Sequence, residues 1–205
     1  MGGGPATIGG TGSSVIGTER LVALADRLCE VVAAGPAAAW NRTAGDLEWT
    51  VRRTVGHVVD ALTWNSVQLA SQAPGHVRVD ALPPPDATPG EMLEAVRGAA
   101  RLVRTVIDGG GLERRSWHLF GVTDPTGVLA IGITELLVHG EDITRGLGLA
   151  WSPDVDLVVA VQERLLPQVV PGRDPWTSLL AAHGRTVGDS TMVAAAWTWD
   201  LTPPG

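Results

Sequence analysis

The amino-acid sequence predicts an all-α protein built as a four-helix bundle. Four long stretches repeat apolar residues at spacings of three and four, which is the spacing of one helix face. Loops of moderate length join these stretches, and no alternating strand pattern precedes residue 190. A chain of 205 residues is long enough to bury a sizeable core in one domain.

The amino-acid composition limits the classes of molecule that this chain is expected to bind. The formal charge is −7, and all 15 basic residues are arginines scattered along the chain, so there is no basic stripe for nucleic acid. No uninterrupted apolar run reaches the roughly 18 residues of a membrane helix, and the N-terminus lacks the pattern of a signal peptide. The lone Cys29 has apolar neighbours and is expected to be buried. We expect a cytoplasmic monomer or homodimer with no nucleic-acid or membrane partner.

The first two predicted helices follow a glycine-rich segment. Residues 1–17 hold many glycines and few apolar side chains, which predicts disorder. The first helix is predicted over 19–34 with Thr18 as its cap. The second helix is predicted over 51–72, and Thr50 is expected to cap it.

The third helix has the clearest start signal in the chain. Thr88 is predicted to cap it, Pro89 to occupy its first position and Glu91 to complete a capping box. The helix is expected to run to about Ile107, just before three consecutive glycines. The preceding segment, 73–87, contains three consecutive prolines and is predicted to be a loop that can cover a site.

The central helix is predicted over 126–148, where most residues are apolar. Two shorter helices are expected after it, from 152 to about 169 and from 174 to about 182. The bundle domain is therefore predicted to span 18–185.

The C-terminal tail, 186–205, is predicted to pack on the bundle. Trp197 and Trp199 lie two positions apart, which is the spacing that points side chains to one face of an extended segment. Such a segment would cover apolar surface of the helices.

Three side chains of the central helix share one face. Glu135 and His139 are four positions apart, and Asp142 follows three positions later, so all three lie within two turns. The face is otherwise apolar, and an isolated charge there is costly unless it is paired or bound to a metal. Pairs of Glu and His at this spacing also occur on solvated helix faces, so a metal site needs a third ligand elsewhere.

His57 on the second helix is the candidate third ligand. With Glu135 and His139 it makes a set of two imidazoles and one carboxylate from two helices, which is how bundles build metal sites. Three protein ligands with open positions are typical of catalytic zinc, although Fe²⁺, Mn²⁺ or Ni²⁺ suit the same ligands. Asp142 is the expected catalytic carboxylate, which either orients His139 or contacts a metal-bound water.

One histidine outside this set is a weaker candidate. His118 is preceded by Trp117 and followed two positions later by Phe120, so it could line the entrance of a pocket.

Two stretches of the chain resemble one known family. The residues WTVRRTVGHVV at 49–59 are similar to the signature of DinB-like metal proteins. More specifically they resemble the mycothiol-dependent maleylpyruvate isomerase and thiol transferase group of actinobacteria, and ELLVHGEDITRGLG at 135–148 is similar to that group's second motif. The resemblance covers about residues 18–185 and implies a DinB-like four-helix bundle with up-down-down-up topology.

The resemblance also implies ligands and a cosubstrate. In that family the histidine of the first motif and the glutamate and histidine of the second hold a divalent metal, usually zinc. These positions correspond to His57, Glu135 and His139. Many members use mycothiol, so the implied function is a zinc-dependent thiol transferase or cis–trans isomerase. Mycothiol, held by the metal as a thiolate, would attack an electrophilic small molecule.

Two other functions stay open. The same site could belong to a metal-binding bundle without catalysis, such as a sensor or a partner-binding protein, and thiol turnover against generic electrophiles distinguishes the two. Two histidines and one carboxylate can also hold Fe²⁺ in a non-haem iron oxygenase, for which oxygen consumption is the test.

Overall fold

The all-α prediction is confirmed in a computed structural model that describes residues 16–169, 172–186 and 198–204. Across these ranges the chain forms six α-helices, one 3₁₀ helix and one two-stranded antiparallel sheet. No helix among them is both long and apolar enough to cross a membrane. The elements are α1 Thr18–Ala33, a 3₁₀ helix Ala37–Asn41, α2 Val51–Ser71, α3 Pro89–Asp108, β1 Ser116–His118, β2 Gly121–Thr123, α4 Pro125–Leu147, α5 Val155–Leu165 and α6 Pro175–Ala182.

Helix α4 forms the centre of the bundle. It packs against α1, α2, α3 and α5, while α3 also packs against α1 and α2. Because neighbours surround α4, its residues are buried around most of its circumference, which explains why its sequence is apolar nearly throughout. Most of the largest fully buried side chains come from α1, α2 and α4, among them Leu21, Leu62 and Ile131, and the 3₁₀ helix contributes Trp40.

Side-chain caps begin α2 and α3 where the sequence predicted. The capping box is confirmed, because Thr88 Oγ1 accepts a hydrogen bond from Glu91 N at 3.3 Å and Glu91 Oε2 accepts one from Thr88 N at 2.7 Å. Thr50 Oγ1 accepts a hydrogen bond from Arg53 N at 3.2 Å and caps α2. Each cap satisfies a backbone donor that the first helical turn leaves unpaired.

Two other helices differ from the prediction at their ends. Thr18 does not cap α1, since its Oγ1 donates instead to Asp108 Oδ1 of α3 at 2.9 Å. Helix α5 begins later than predicted because Asp154 is its cap and accepts from Asp156 N at 3.0 Å. It ends earlier than predicted, just ahead of Pro167, because a proline disfavours the helical conformation in the residue before it.

A short β-hairpin corrects the expectation that no strand precedes residue 190. In β1 and β2, Ser116 lies opposite Thr123 and His118 lies opposite Gly121. Gly121 has a φ of 144°, which side-chain-bearing residues rarely adopt, and it allows the tight turn. Strands of three residues are too short to show an alternating pattern in the sequence. The hairpin packs on α2 through β1, which carries Trp117.

The described part of the C-terminal tail, residues 198–204, lies against the bundle. Trp199 and Leu201 are buried in the apolar core. Asp200 N donates a hydrogen bond to the Leu165 carbonyl at 2.8 Å, which ties the segment to the end of α5. Most of the segment predicted to be disordered, residues 1–15, lies outside the described residues, as does Trp197.

Two helical glycines provide a matched test of this packing. A Cβ at Gly146 of α4 would lie 2.6 Å from the Thr43 carbonyl oxygen and 2.6 Å from Val51 Cγ2, whereas a Cβ at Gly98 of α3 would meet nothing within 4 Å. We expect Gly146→Ala to lower the free energy of unfolding by about 1–3 kcal/mol, because the crowded backbone must shift. Gly98→Ala should raise it by about 0.5–1 kcal/mol, since alanine favours helix. Urea unfolding measures both changes, and a stabilised Gly146→Ala protein would contradict the close approach.

Candidate metal centre

Two packed helices bring three of the predicted site residues together. Helix α2 carries His57, and helix α4 carries Glu135 and His139. Glu135 Oε2 lies 3.3 Å from Nε2 of His57 and 3.3 Å from Nε2 of His139. The donor atoms of the three residues all lie within 4.8 Å of one another.

The surroundings of Glu135 show that these residues fit a metal ion. Glu135 Oε2 is buried and has no hydrogen-bond partner among the residues that the structure describes. Such a carboxylate oxygen is costly to bury unless a cation neutralises it. Two imidazole nitrogens and one carboxylate oxygen are the donors of many catalytic zinc sites, and they leave coordination positions open. A divalent cation therefore suits the space between the three side chains.

Burial and neighbouring charges shift the pKa values of Glu135 and His139 in opposite directions. Burial alone would raise the pKa of Glu135, but His139 and His57 outweigh it and hold that pKa well below its usual range. Burial alone would lower the pKa of His139, but the carboxylates of Asp142 and Glu135 outweigh it and raise that pKa to about 9. Because a metal binds neutral imidazole, metal binding at neutral pH must release a proton from His139.

Asp142 lies behind His139. Its Oδ2 is 3.0 Å from Nδ1 of His139, while Nε2 is the ring nitrogen that approaches Glu135. An Nδ1–H group that donates to Asp142 leaves Nε2 available for a metal. Of the two roles predicted for Asp142, this geometry favours the orientation of His139.

Arg185 holds Asp142 in place, and no pattern in the sequence predicted this contact. Arg185 Nη2 donates to Asp142 Oδ2 at 2.6 Å, and Nε donates to Oδ1 at 3.2 Å. Asp142 is fully buried, and burial would raise its pKa, but His139 and Arg185 outweigh burial and lower it. Arg185 lies 43 residues after Asp142 in the segment that follows α6, so no helical spacing connects the two.

Trp49 covers one side of the centre. Its ring centroid is 5.1 Å from the centroid of His57 and 6.5 Å from that of His139. The guanidinium of Arg53, which lies on α2, is 4.6 Å from the Trp49 centroid. The side chain of His57 is 34% exposed, whereas those of Glu135 and His139 are 13% exposed. Solvent therefore reaches the centre mainly from the side of His57.

The chain's single cysteine is not available as a reactive thiol. Cys29 is buried on α1, where its Sγ donates to the Leu93 carbonyl at 3.5 Å. Burial raises the pKa of this thiol to about 12. The prediction of a buried cysteine is confirmed, and a thiolate nucleophile would have to come from another molecule.

Comparison with known proteins identifies a family. A family model described as the mycothiol maleylpyruvate isomerase N-terminal domain matches residues 21–144, which is more than half of the chain. This match confirms the resemblance carried by the two motifs. No curated protein and no solved structure was found to match the chain.

The pKa of His139 predicts how the metal-free protein responds to pH. The folded-state pKa of about 9 exceeds the ordinary value of 6.5, so the proton on His139 stabilises the fold fully below about pH 6.5. This stabilisation is lost as the pH rises through about 9. In urea titrations of chelated protein, we expect the free energy of unfolding to fall over this interval, and to fall less in His139→Gln. An equal fall in both proteins would contradict the assignment.

Proposed function

The chain belongs to the family of mycothiol maleylpyruvate isomerase N-terminal domains, and from this membership we propose that it is a metal-dependent thiol transferase or cis–trans isomerase. Mycothiol is the proposed cosubstrate, and an electrophilic small molecule is the proposed second substrate. One observation carries the proposal. The buried Oε2 of Glu135 lacks a hydrogen-bond partner among the described residues and lies between the Nε2 atoms of His57 and His139, an arrangement that suits a cation.

The proposed metal ligands are His57, Glu135 and His139. Zinc suits this donor set best, and Ni²⁺ or Fe²⁺ are the alternatives. A divalent ion held there would bind a thiol in an open position and favour its thiolate form at neutral pH. Asp142 would keep the proton on Nδ1 of His139, so that Nε2 stays directed at the ion.

The burial of Cys29 supports a thiol from outside the chain. Its sulfur lies on α1 with a pKa of about 12, so it stays protonated at neutral pH. The open side of the centre at His57 provides the approach for a small thiol. Trp49 covers an adjacent side and would limit the access of water to the reacting atoms.

The two proposed outcomes share their first step. The sulfur of the thiolate forms a bond to the electrophilic carbon of a conjugated C=C–C=O group, and the π electron pair moves to the carbonyl oxygen. Protonation of the α carbon by water then gives a thioether, which is the transferase outcome. In the isomerase outcome the former double bond rotates, the electron pair returns and the C–S bond breaks, so that the thiol is regenerated. Neither outcome requires an oxidant or a reductant.

The proposal predicts the metal content of purified variants. We expect about one divalent metal per chain in the wild type, in line with one three-ligand site among the described residues. His139→Ala and His57→Ala should lose it, because each removes one donor and leaves Glu135 poorly neutralised. His76→Ala is the matched control, since His76 lies outside the donor set and should leave the metal content unchanged. Elemental analysis after loading with Zn²⁺, Ni²⁺ or Fe²⁺ measures all four proteins.

Mycothiol titration then separates the functions. Calorimetric binding of mycothiol that disappears on chelation supports the proposal. Metal without thiol binding or thiol turnover would instead favour a non-catalytic metal-binding protein. Equal metal content in His139→Ala and His76→Ala would contradict the ligand assignment.

A further inference from the structure

An aromatic cavity lies between α2 and the β-hairpin. Its volume is about 330 Å³, which is the lower end of the range for small-molecule sites and suits a compound with one ring. We name it the aromatic cavity after its lining residues, none of which is a carboxylate, lysine or arginine. They are Trp64, His76, Trp117, His118 and Leu119.

Two observations relate the aromatic cavity to the candidate metal centre. Trp64 follows His57 by seven positions on α2, so it lies on the same helix face and about 10.5 Å further along the axis. Burial lowers the pKa of His118, and the negative charge of Glu135 acts on the same imidazole in the opposite direction with a smaller effect. The cavity and the centre are therefore neighbouring sites along one face of α2.

The walls of the aromatic cavity are preorganised to hold a flat ring. The ring centroid of Trp64 is 5.6 Å from that of His118, 5.6 Å from that of His76 and 6.3 Å from that of Trp117. The indole Nε1 of Trp64 donates to the Val77 carbonyl at 3.0 Å, which fixes the orientation of the ring before a ligand arrives. These separations are direct edge-to-face and tilted contacts between the wall rings, so the rings support one another, and an aromatic ligand in the cavity would pack against them.

His118 supplies a hydrogen-bond donor in this otherwise mostly apolar wall. Its Nδ1 accepts a hydrogen bond from Phe120 N at 3.3 Å, so the proton of the neutral imidazole resides on Nε2. No hydrogen bond to Nε2 is formed by the residues that the structure describes. The ring lines the cavity, so the oxygen of a bound ligand is a candidate acceptor for this N–H group.

We propose that the aromatic cavity binds the aryl group of an aryl ketone that is conjugated to a carbon–carbon double bond. This inference rests on the proposed function. The ring would lie in the cavity against Trp64 and Trp117, and His118 Nε2–H would donate to the ketone oxygen. The double bond would then extend along α2 towards His57, where the thiol is expected. When the C–S bond forms at the β carbon, the π pair moves to the ketone oxygen, and the hydrogen bond from His118 strengthens as that oxygen becomes negative. Water supplies the proton that ends on the α carbon, so no redox partner is needed.

The proposal is tested by the binding of unreactive ligands to chelated protein without thiol. Butyrophenone has the aryl ketone, and butylbenzene has the ring without the ketone. Trp64→Leu should weaken the binding of both ligands roughly tenfold, because stacking and burial are lost. His118→Phe should weaken butyrophenone binding roughly three- to tenfold, while butylbenzene binding changes little, since only the hydrogen bond is removed. Tryptophan fluorescence and calorimetry measure the dissociation constants.

Leu112→Ala is the matched control, because Leu112 is an exposed apolar residue outside the aromatic cavity. It should bind both ligands as the wild type does. Equal affinities in Trp64→Leu and Leu112→Ala would overturn the cavity assignment. Trp117→Leu changes the side of the cavity that the hairpin forms, and this variant should also bind both ligands roughly tenfold more weakly. Equal losses of both ligands in His118→Phe would overturn the role of His118 as a donor to the ketone.

A kinetic comparison connects the aromatic cavity to turnover. With metal and mycothiol present, Trp64→Leu should raise KM for 1-phenylbut-2-en-1-one and leave KM for pent-3-en-2-one, which has no ring, within about twofold. An equal rise for both enones would overturn the proposed substrate class. Ligand binding to the chelated protein does not depend on metal chemistry, so failure of the cavity proposal and failure of the proposed function give different results.

Discussion

The packing of α2 against α4 is the interaction on which the candidate centre depends. It places His57 of one helix beside Glu135 of the other, so that a buried carboxylate oxygen faces two imidazole nitrogens. Burying a charge is costly, and apolar contacts along the two helices have to offset that cost. Gly132 contributes to this close packing, since a Cβ there would lie 3.1 Å from Leu62 Cδ2 and the leucine side chain would have to shift. The site is therefore a consequence of how closely two apolar surfaces meet.

A second layer of charges connects the segment after α6 to the same helix. Arg185 binds Asp142, and the next backbone N–H, that of Thr186, donates to Asp46 Oδ2 at 2.8 Å. Asp46 also accepts from Arg145 Nη1 of α4 at 3.0 Å. Asp142 of α4 thus binds this segment directly, and Asp46 connects it to α4 by way of Arg145. Asp142 is also the residue that orients His139. The orientation of a proposed ligand depends on a part of the chain far away in sequence.

Local signals in the sequence predicted much of the helical structure. The capping box at Thr88 and the cap at Thr50 involve residues within three positions of each other, and both were predicted correctly. Thr18 shows the limit of such signals, because a side-chain contact with Asp108 of α3 replaced the expected cap. The hairpin was missed because strands of three residues show no period, and its place against α2 is a tertiary contact.

The features of the candidate centre also divide into those that the sequence predicts and those that depend on tertiary contacts. Helical geometry alone places Glu135, His139 and Asp142 on one face, because 3.6 residues per turn relate positions three and four apart. The two motifs also identified the family from the sequence. The sequence also predicted His57 as the third ligand and two roles for Asp142. The distances between these side chains, the choice between the two roles and the contact of Arg185 with Asp142 became visible only in the folded chain. The physical reason is the separation of the residues along the sequence. Backbone periodicity relates residues within a few turns, whereas contacts between distant segments depend on how side-chain volumes pack.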